Sequence, residues 1–221
     1  MIKIIEWVIK IGGSLFPKDA ISLVEKLENT KTLLIIGGGE FANLIRKYDK
    51  EIGFSQDITH ESAINAMDIN SKLLNDKFTF TETVKTIEEA KKVSNNGKIP
   101  IFLSSEFLNK KDPFEHSWKV TSDSIAAYIS NLLNAKLLIA TNVNGIYTRQ
   151  PKIEGAKFIN EIDAKKLLSF NETSIDLMLP SILLKNESNC YVVNGKFPER
   201  VLSIITNQGN KKFPYTYIKG D

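Results

Sequence analysis

A short apolar run, Trp7 to Ile11, passes without a gap into Gly12-Gly13-Ser14. Broken only by Lys10 and bounded by glycines, it has the length and make-up of a buried strand that ends in a tight turn. Beyond Pro17, the spacing of Ala20, Leu23, Val24 and Leu27 predicts an amphipathic helix, with Asp19 near its start. A glycine turn between a strand and a helix suits an anion. Its backbone N–H groups are unshielded by side chains, and a helix N-terminus favours negative charge. Lys10 sets an ammonium just before the turn, where it could neutralise charge on a transferring phosphoryl group. Taken alone, a Gly-Gly turn after a strand is more often ordinary turn chemistry.

The unit then repeats. Thr32 to Ile36 is a second apolar run, and it leads directly into Gly37-Gly38-Gly39. In the helix that follows, Phe41, Leu44, Ile45 and Tyr48 share one face, with Arg46, Lys47 and Lys50 on the other. Two such units in succession predict a parallel α/β sheet with both turns at the carboxyl ends of its strands, where open sheets bind ligands. Further strands are read at 99–103, 136–140, 191–193 and 215–218. Helices are read at 58–74, 86–94, 125–133, 163–169 and 197–206, with another over 175–186 that Pro180 kinks or restarts. No linker or repeat interrupts the alternation, so residues 1–221 read as a single α/β domain with two lobes. On helix 58–74, His60, Ile64, Met67, Asp68 and Ser71 share a face. That face is either a polar packing contact or the wall of an acceptor pocket, with His60 towards an anion. Residues 104–120 read as a long connection carrying His116 and Trp118, in which the tryptophan covers the core or stacks on a ligand. Thr121 and Ser122 are N-cap candidates that place Asp123 in a first helical turn. Asn144-Gly145 marks a tight turn after the strand 136–140.

Composition excludes several classes. The 221 residues carry a net charge of +3 with no lysine or arginine block, which argues against a nucleic-acid partner. Cys190 is the single cysteine; it sits in an apolar run and reads as a buried structural thiol. No group of side chains has metal-ligand spacing, so no resident metal is expected. Lys3, Glu6 and Lys10 interrupt the first fifteen residues, and no uncharged run could span a bilayer. The expectation is a cytoplasmic protein without a membrane partner. Neither glycine turn shows the Gly-x-Gly-x-x-Gly of dinucleotide enzymes.

The order of the motifs carries a resemblance. Lys10-Ile11-Gly12-Gly13-Ser14, Gly37-Gly38-Gly39, Thr121-Ser122-Asp123-Ser124-Ile125-Ala126-Ala127 and Thr141-Asn142-Val143-Asn144-Gly145-Ile146-Tyr147 with Pro151 span nearly the whole chain. Together they resemble the amino acid kinase superfamily, which includes acetylglutamate kinase, aspartokinase, uridylate kinase and isopentenyl phosphate kinase. Within it, Gly37 to Ala42, Ala66-Met67-Asp68, His116 to Asp123, Asp176 to Pro180 and Val193-Asn194-Gly195 are similar to the small archaeal kinases of methanofuran biosynthesis. The resemblance implies an open three-layer α/β/α sandwich with a mainly parallel central sheet. It implies an acceptor-side lobe over about 1–115 and an ATP-side lobe over about 116–221, and often a homo-oligomer.

It also implies ATP with Mg2+ and a small phosphate-bearing acceptor that is converted from phosphomonoester to diphosphate. Lys10 would contact the transferring phosphoryl group and Asp123 would orient it. Gly12, Gly13 and Ser14 would hold ATP phosphates, and Thr141, Asn142, Gly145, Tyr147 and Pro151 would bind the nucleoside. Gly37, Gly38 and Gly39 would meet the acceptor, together with His60 and Asp68. Asp68 is the carboxylate expected to meet the ammonium of an aminomethylfuran phosphate. Two departures stand out. Asn144 replaces an aspartate of many relatives, and no second lysine follows a Gly-Gly pair near Ile175 to Pro180. The alternatives are a uridylate or isopentenyl phosphate kinase, and a non-catalytic nucleotide- or oxyanion-binding protein on the same scaffold.

Overall fold

The computed structural model describes residues 5–110, 112–149, 153–170, 173–208 and 212–220. In chain order the elements are β1 (Trp7–Ile11), a 3-10 turn (Gly13–Leu15), α1 (Lys18–Lys26), β2 (Thr32–Ile36), α2 (Gly39–Ile52) and α3 (Gln56–Asn75). They continue with β3 (Thr81–Val84), α4 (Ile87–Asn95), β4 (Ile99–Phe102), α5 (Ser104–Lys110), α6 (Ser122–Leu133) and β5 (Lys136–Thr141). A small hairpin of β6 (Ile146–Tyr147) and β7 (Phe158–Ile159) comes next. The chain closes with β8 (Glu161–Asp163), α7 (Ala164–Leu167), α8 (Leu179–Lys185), β9 (Cys190–Asn194), α9 (Pro198–Thr206) and β10 (Tyr215–Lys219).

Eight strands form one sheet in the order β3-β4-β2-β1-β5-β9-β10-β8. It is parallel from β3 to β9, then β10 joins β9 antiparallel, and β8 pairs parallel with β10. Strand β1 lies between β2 and β5, and all five of its residues are buried. Strands covered on both faces are free to be apolar throughout, which is why β1 and β2 read as unbroken runs. The pleat sorts their side chains. Trp7, Ile9 and Ile11 enter the core with α1 and α9, whereas Val8 enters the opposite core with α3 and α6. Lys10 is two residues from Val8 and so projects on the α6 side.

From β1 the chain moves to one side of the sheet through β2, and through β5 it resumes on the other. The loops after β1 and β5 therefore diverge and leave a crevice at the carboxyl edge. Backbone bonds stitch that edge together. Gly12 N donates to Ala140 O, Gly37 N to Ile11 O and Gly195 N to Thr141 O, each at 2.8 Å.

Four features depart from the sequence reading. The stretch 104–120 opens with α5, so only its second half is a loop. Strand β3 and the β6–β7 hairpin are short pieces without a clear period. The helix read over 175–186 begins only at Leu179, with Pro180 in the first turn of α8, where its missing N–H has no helical partner to lose. The apolar face of α2 does not pack inward: Phe41, Leu44, Tyr48 and Ile52 are 43–66% exposed, and no α2 residue is buried. A different side of α2 faces the crevice. Gly38, Ala42 and Arg46 follow at helical spacing and line the crevice. Among the described residues, no helix is long and apolar enough to cross a membrane. Cys190 is buried, and burial pushes its thiol well up, as a structural cysteine requires.

The two glycine turns touch through backbone alone. A Cβ on Gly13 would run into the N and Cα of Gly39, itself held at φ +56°. A backbone neighbour cannot rotate aside, so Gly13→Ala is expected to destabilise the chain by about 1–3 kcal/mol, read as a lower urea midpoint.

Candidate active site

A cleft of 450 Å³, within the usual size for a small-molecule site, opens at the crevice. Both turns line it: Gly12, Gly13 and Ser14 from one, Gly37, Gly38 and Gly39 from the other. Lys10, Arg46, Thr121, Ser122, Thr141 and Ser174 complete the wall. Lys10 and Arg46 are the cations among these lining residues, and Glu40 is the one acid, exposed at the rim.

Lys10 is fixed from below. Its Nζ lies 2.7 Å from Asp123 Oδ1, with the two side chains 10% and 5% exposed. Asp123 stands in the first turn of α6, capped by Thr121, and its other oxygen accepts from Asp176 N at 3.1 Å. Asp176 in turn joins two helix starts. Its carboxylate accepts from the N–H and hydroxyl groups of both Thr121 and Ser124, and from the N–H groups of Met178 and Leu179, at 2.7–3.1 Å. Burial, followed by the Asp123 charge, pushes the Asp176 carboxyl up; the hydrogen bonds from Ser124 and Thr121 oppose that shift. The Gly37–Gly39 turn has its own prop. Asn70 on α3, fully enclosed, donates through Nδ2 to Gly37 O at 2.8 Å.

A second cavity adjoins the cleft and shares Gly38, Ala42, Arg46, Thr121 and Ser122 with it. His60, Ile64, Met67 and Trp118 add a mostly apolar wall. Trp118 is held in place there. Its Nε1 donates to Asp49 Oδ2 at 2.7 Å, and the Arg46 guanidinium lies 4.5 Å from its ring.

The structure brings Lys10, Gly12, Gly13, Ser14, Thr141 and Gly37 to Gly39 into one cleft, with Asp123 behind. Asn142 stands exposed after β5, Gly145 beneath Ser174, and Tyr147 in the small hairpin against Phe158; none of the three lines the cleft. Pro151 lies outside the described residues. Asn144 accepts from Arg200 at 2.9 Å and Asn194 at 3.3 Å, which ties the loop to α9. Lys185 ends α8 and does not line the cleft.

Two expectations are corrected. Asp68 faces away from both cavities. It accepts from Ser104 N, Ser105 N and Ser105 Oγ and so holds the start of α5, while burial pushes its carboxyl up. His60 does line the second cavity, but its Nε2 is committed to Asp112 Oδ2 at 2.8 Å instead of an anion. Arg46 was missed because amphipathicity assigned it to solvent. The signal that marks it is the small residues at i−4 and i−8, Ala42 and Gly38.

An ammonium clamped by a carboxylate behind two backbone anion cradles is equipment for phosphoryl transfer, here mounted on a parallel α/β sheet. The chain belongs to the amino acid kinase family, whose sequence profile matches residues 6–194, and it is a kinase. It is 40% identical over 220 residues to the [5-(aminomethyl)furan-3-yl]methyl phosphate kinase of Methanocaldococcus jannaschii, covering 96% of this chain and 97% of that one. It is 28% identical over 193 residues to a uridylate kinase of the same organism, covering 81% and 80%. The crystal structure of uridylate kinase from Archaeoglobus fulgidus shares the fold, with a TM-score of 0.73 at 21% identity over 97% of this chain and 100% of that one.

Replacing Asp123 by Asn keeps its shape but removes the counter-charge of Lys10. Because Nζ borders an open cleft, the expected loss is about 3 kcal/mol, the low end for a broken buried pair, measured by denaturant unfolding.

Proposed function

We propose that the chain transfers the γ-phosphoryl group of ATP, carried with Mg2+, to the phosphate of [5-(aminomethyl)furan-3-yl]methyl phosphate, giving the diphosphate. The observation that carries this reading is the clamped Lys10 between the Gly12–Ser14 and Gly37–Gly39 turns. Such an acceptor is already an anion and a nucleophile at neutral pH. Catalysis then needs in-line positioning and charge neutralisation, and no general base. The cleft suits this division of labour, since its walls supply backbone N–H groups and cations, and Glu40 is the one acid among the lining residues.

In this reading the Gly12–Ser14 turn holds the ATP phosphates, and the nucleoside extends from Thr141 beyond the cleft wall towards the 142–147 loop. The C-terminal lobe, about 116–221, is then the ATP side, and the N-terminal lobe, about 1–115, the acceptor side. Arg46 takes the acceptor phosphate, standing where both cavities meet. The furan ring lies against Met67 and Trp118. Mg2+ neutralises the ATP phosphates and arrives with the nucleotide; Asp123, engaged with Lys10, does not hold it. Lys10 and Arg46 stand as the two cations at the transferring group, in place of a pair of lysines. Residues 40% identical to a kinase of this acceptor favour it over a nucleotide or isopentenyl phosphate. A homo-oligomer belongs to the same reading, with a second copy covering the exposed row Phe41, Leu44, Tyr48 and Ile52.

The test is ATP-dependent ADP release with four acceptors: the aminomethylfuran phosphate, UMP, AMP and isopentenyl phosphate. Turnover with the first alone is expected. Preference for UMP or isopentenyl phosphate would replace the acceptor, and silence on all four with ATP bound would favour a binding protein. Lys10→Ala should lose about 100- to 1,000-fold in kcat, equivalent to about 3–4 kcal/mol, while nucleotide affinity measured by calorimetry stays within a few fold. Arg46→Ala should raise the acceptor KM far more than the ATP KM.

A further inference from the structure

The chain has two histidines, and the fold brings them together. His60 comes from the first turns of α3 and His116 from the loop 112–120 that carries Trp118. Their rings stack with centroids 4.5 Å apart and planes at 14°. Asp112 faces both, its Oδ2 lying 2.8 Å from His60 Nε2 and 3.7 Å from His116 Nε2. The three donor atoms all lie within 4.8 Å of one another. His116 turns its other nitrogen, Nδ1, to Asp57 Oδ1 at 2.6 Å.

We propose that His60 Nε2, His116 Nε2 and Asp112 Oδ2 form a Zn2+ site that fastens the 112–120 loop to the start of α3. With metal–ligand bonds of about 2.0–2.2 Å, neighbouring donors of a tetrahedral zinc stand roughly 3.3–3.5 Å apart. The observed 2.8 and 3.7 Å straddle that spacing, and the stacked imidazoles, 14° from parallel, must turn towards one another for both Nε2 lone pairs to meet at one ion. Two imidazoles and one carboxylate suit zinc better than the all-oxygen shells of Mg2+ or Ca2+. The Asp57 contact is the outer carboxylate that a ligating histidine commonly has: it holds the Nδ1 proton and leaves Nε2 free for metal. His60 would exchange its direct Nε2 contact with Asp112 for the shared metal. Access is open on one side only, since the His116 side chain is 38% exposed and that of His60 only 5%. The fourth position would hold water.

The consequence lies in the acceptor cavity. His60 and Trp118 are both part of its wall. A metal across α3 and the loop would fix that wall before the acceptor arrives. The site stands whatever the acceptor proves to be, and its test needs no activity.

The probe is Zn2+ alone, titrated by calorimetry into the full chain after removal of any affinity tag and treatment with a chelator. One Zn2+ per chain is expected, with a raised melting temperature that the chelator reverses. His116→Ala, at a partly exposed position that should fold, is expected to weaken binding by at least 100-fold and to abolish the melting shift. Asp57→Asn retains all three ligands and is expected to weaken binding about 10- to 100-fold. Absence of stoichiometric Zn2+ in the wild type, or unchanged binding in His116→Ala, would overturn the site and leave a hydrogen-bonded contact between the loop and α3.

Discussion

The buried pair of Lys10 and Asp123 sits where two demands meet. The central strand must be apolar to lie between two helical layers, yet the chemistry needs a cation at its carboxyl end. A lysine at the penultimate residue of β1 meets both, because its stem passes through the core and its Nζ emerges beside the cleft. The charge is tolerated there because α6 presents Asp123 from its first turn. Asp176 then ties that turn to the start of α8, with six donors on its carboxylate. The Lys10 ammonium is therefore positioned by a strand and two helix starts, which hold a side chain more closely than loops do.

Much of this was legible in the chain. The two strand–glycine–helix units announced the sheet and its ligand edge. The Thr121-Ser122-Asp123 cap announced a carboxylate at a helix start. Residues whose roles depend on backbone alone were easiest to place, because glycine has few reasons to recur directly after buried strands. The pairing of Lys10 with Asp123 was not legible from spacing. It follows from pleat parity and strand order, and strand order is a tertiary property; the superfamily resemblance supplied the pairing instead.

The acceptor side was read less well, for a physical reason. Assigning helix faces by hydrophobicity assumes that apolar residues turn inward. On α2 the side that lines the cleft carries Ala42 and Arg46 below Gly38, while the apolar row faces out. The same assumption put Asp68 and His60 on one wall. They do share a helix, but Asp68 caps α5 and His60 meets the 112–120 loop. Each found its partner in a distant segment, His60 and Asp112 being 52 positions apart, and no local pattern encodes such a meeting.

The contact of Gly13 with Gly39 has a consequence for how such a protein can change. The two glycine turns form a partition one main chain thick, with no side chain between them. A lineage that remodels one turn therefore cannot do so without disturbing the other. Innovation is confined to the far walls, α2, α3 and the 112–120 loop. Relatives would be expected to keep a common hinge of glycine and to differ in the furniture of the outer room.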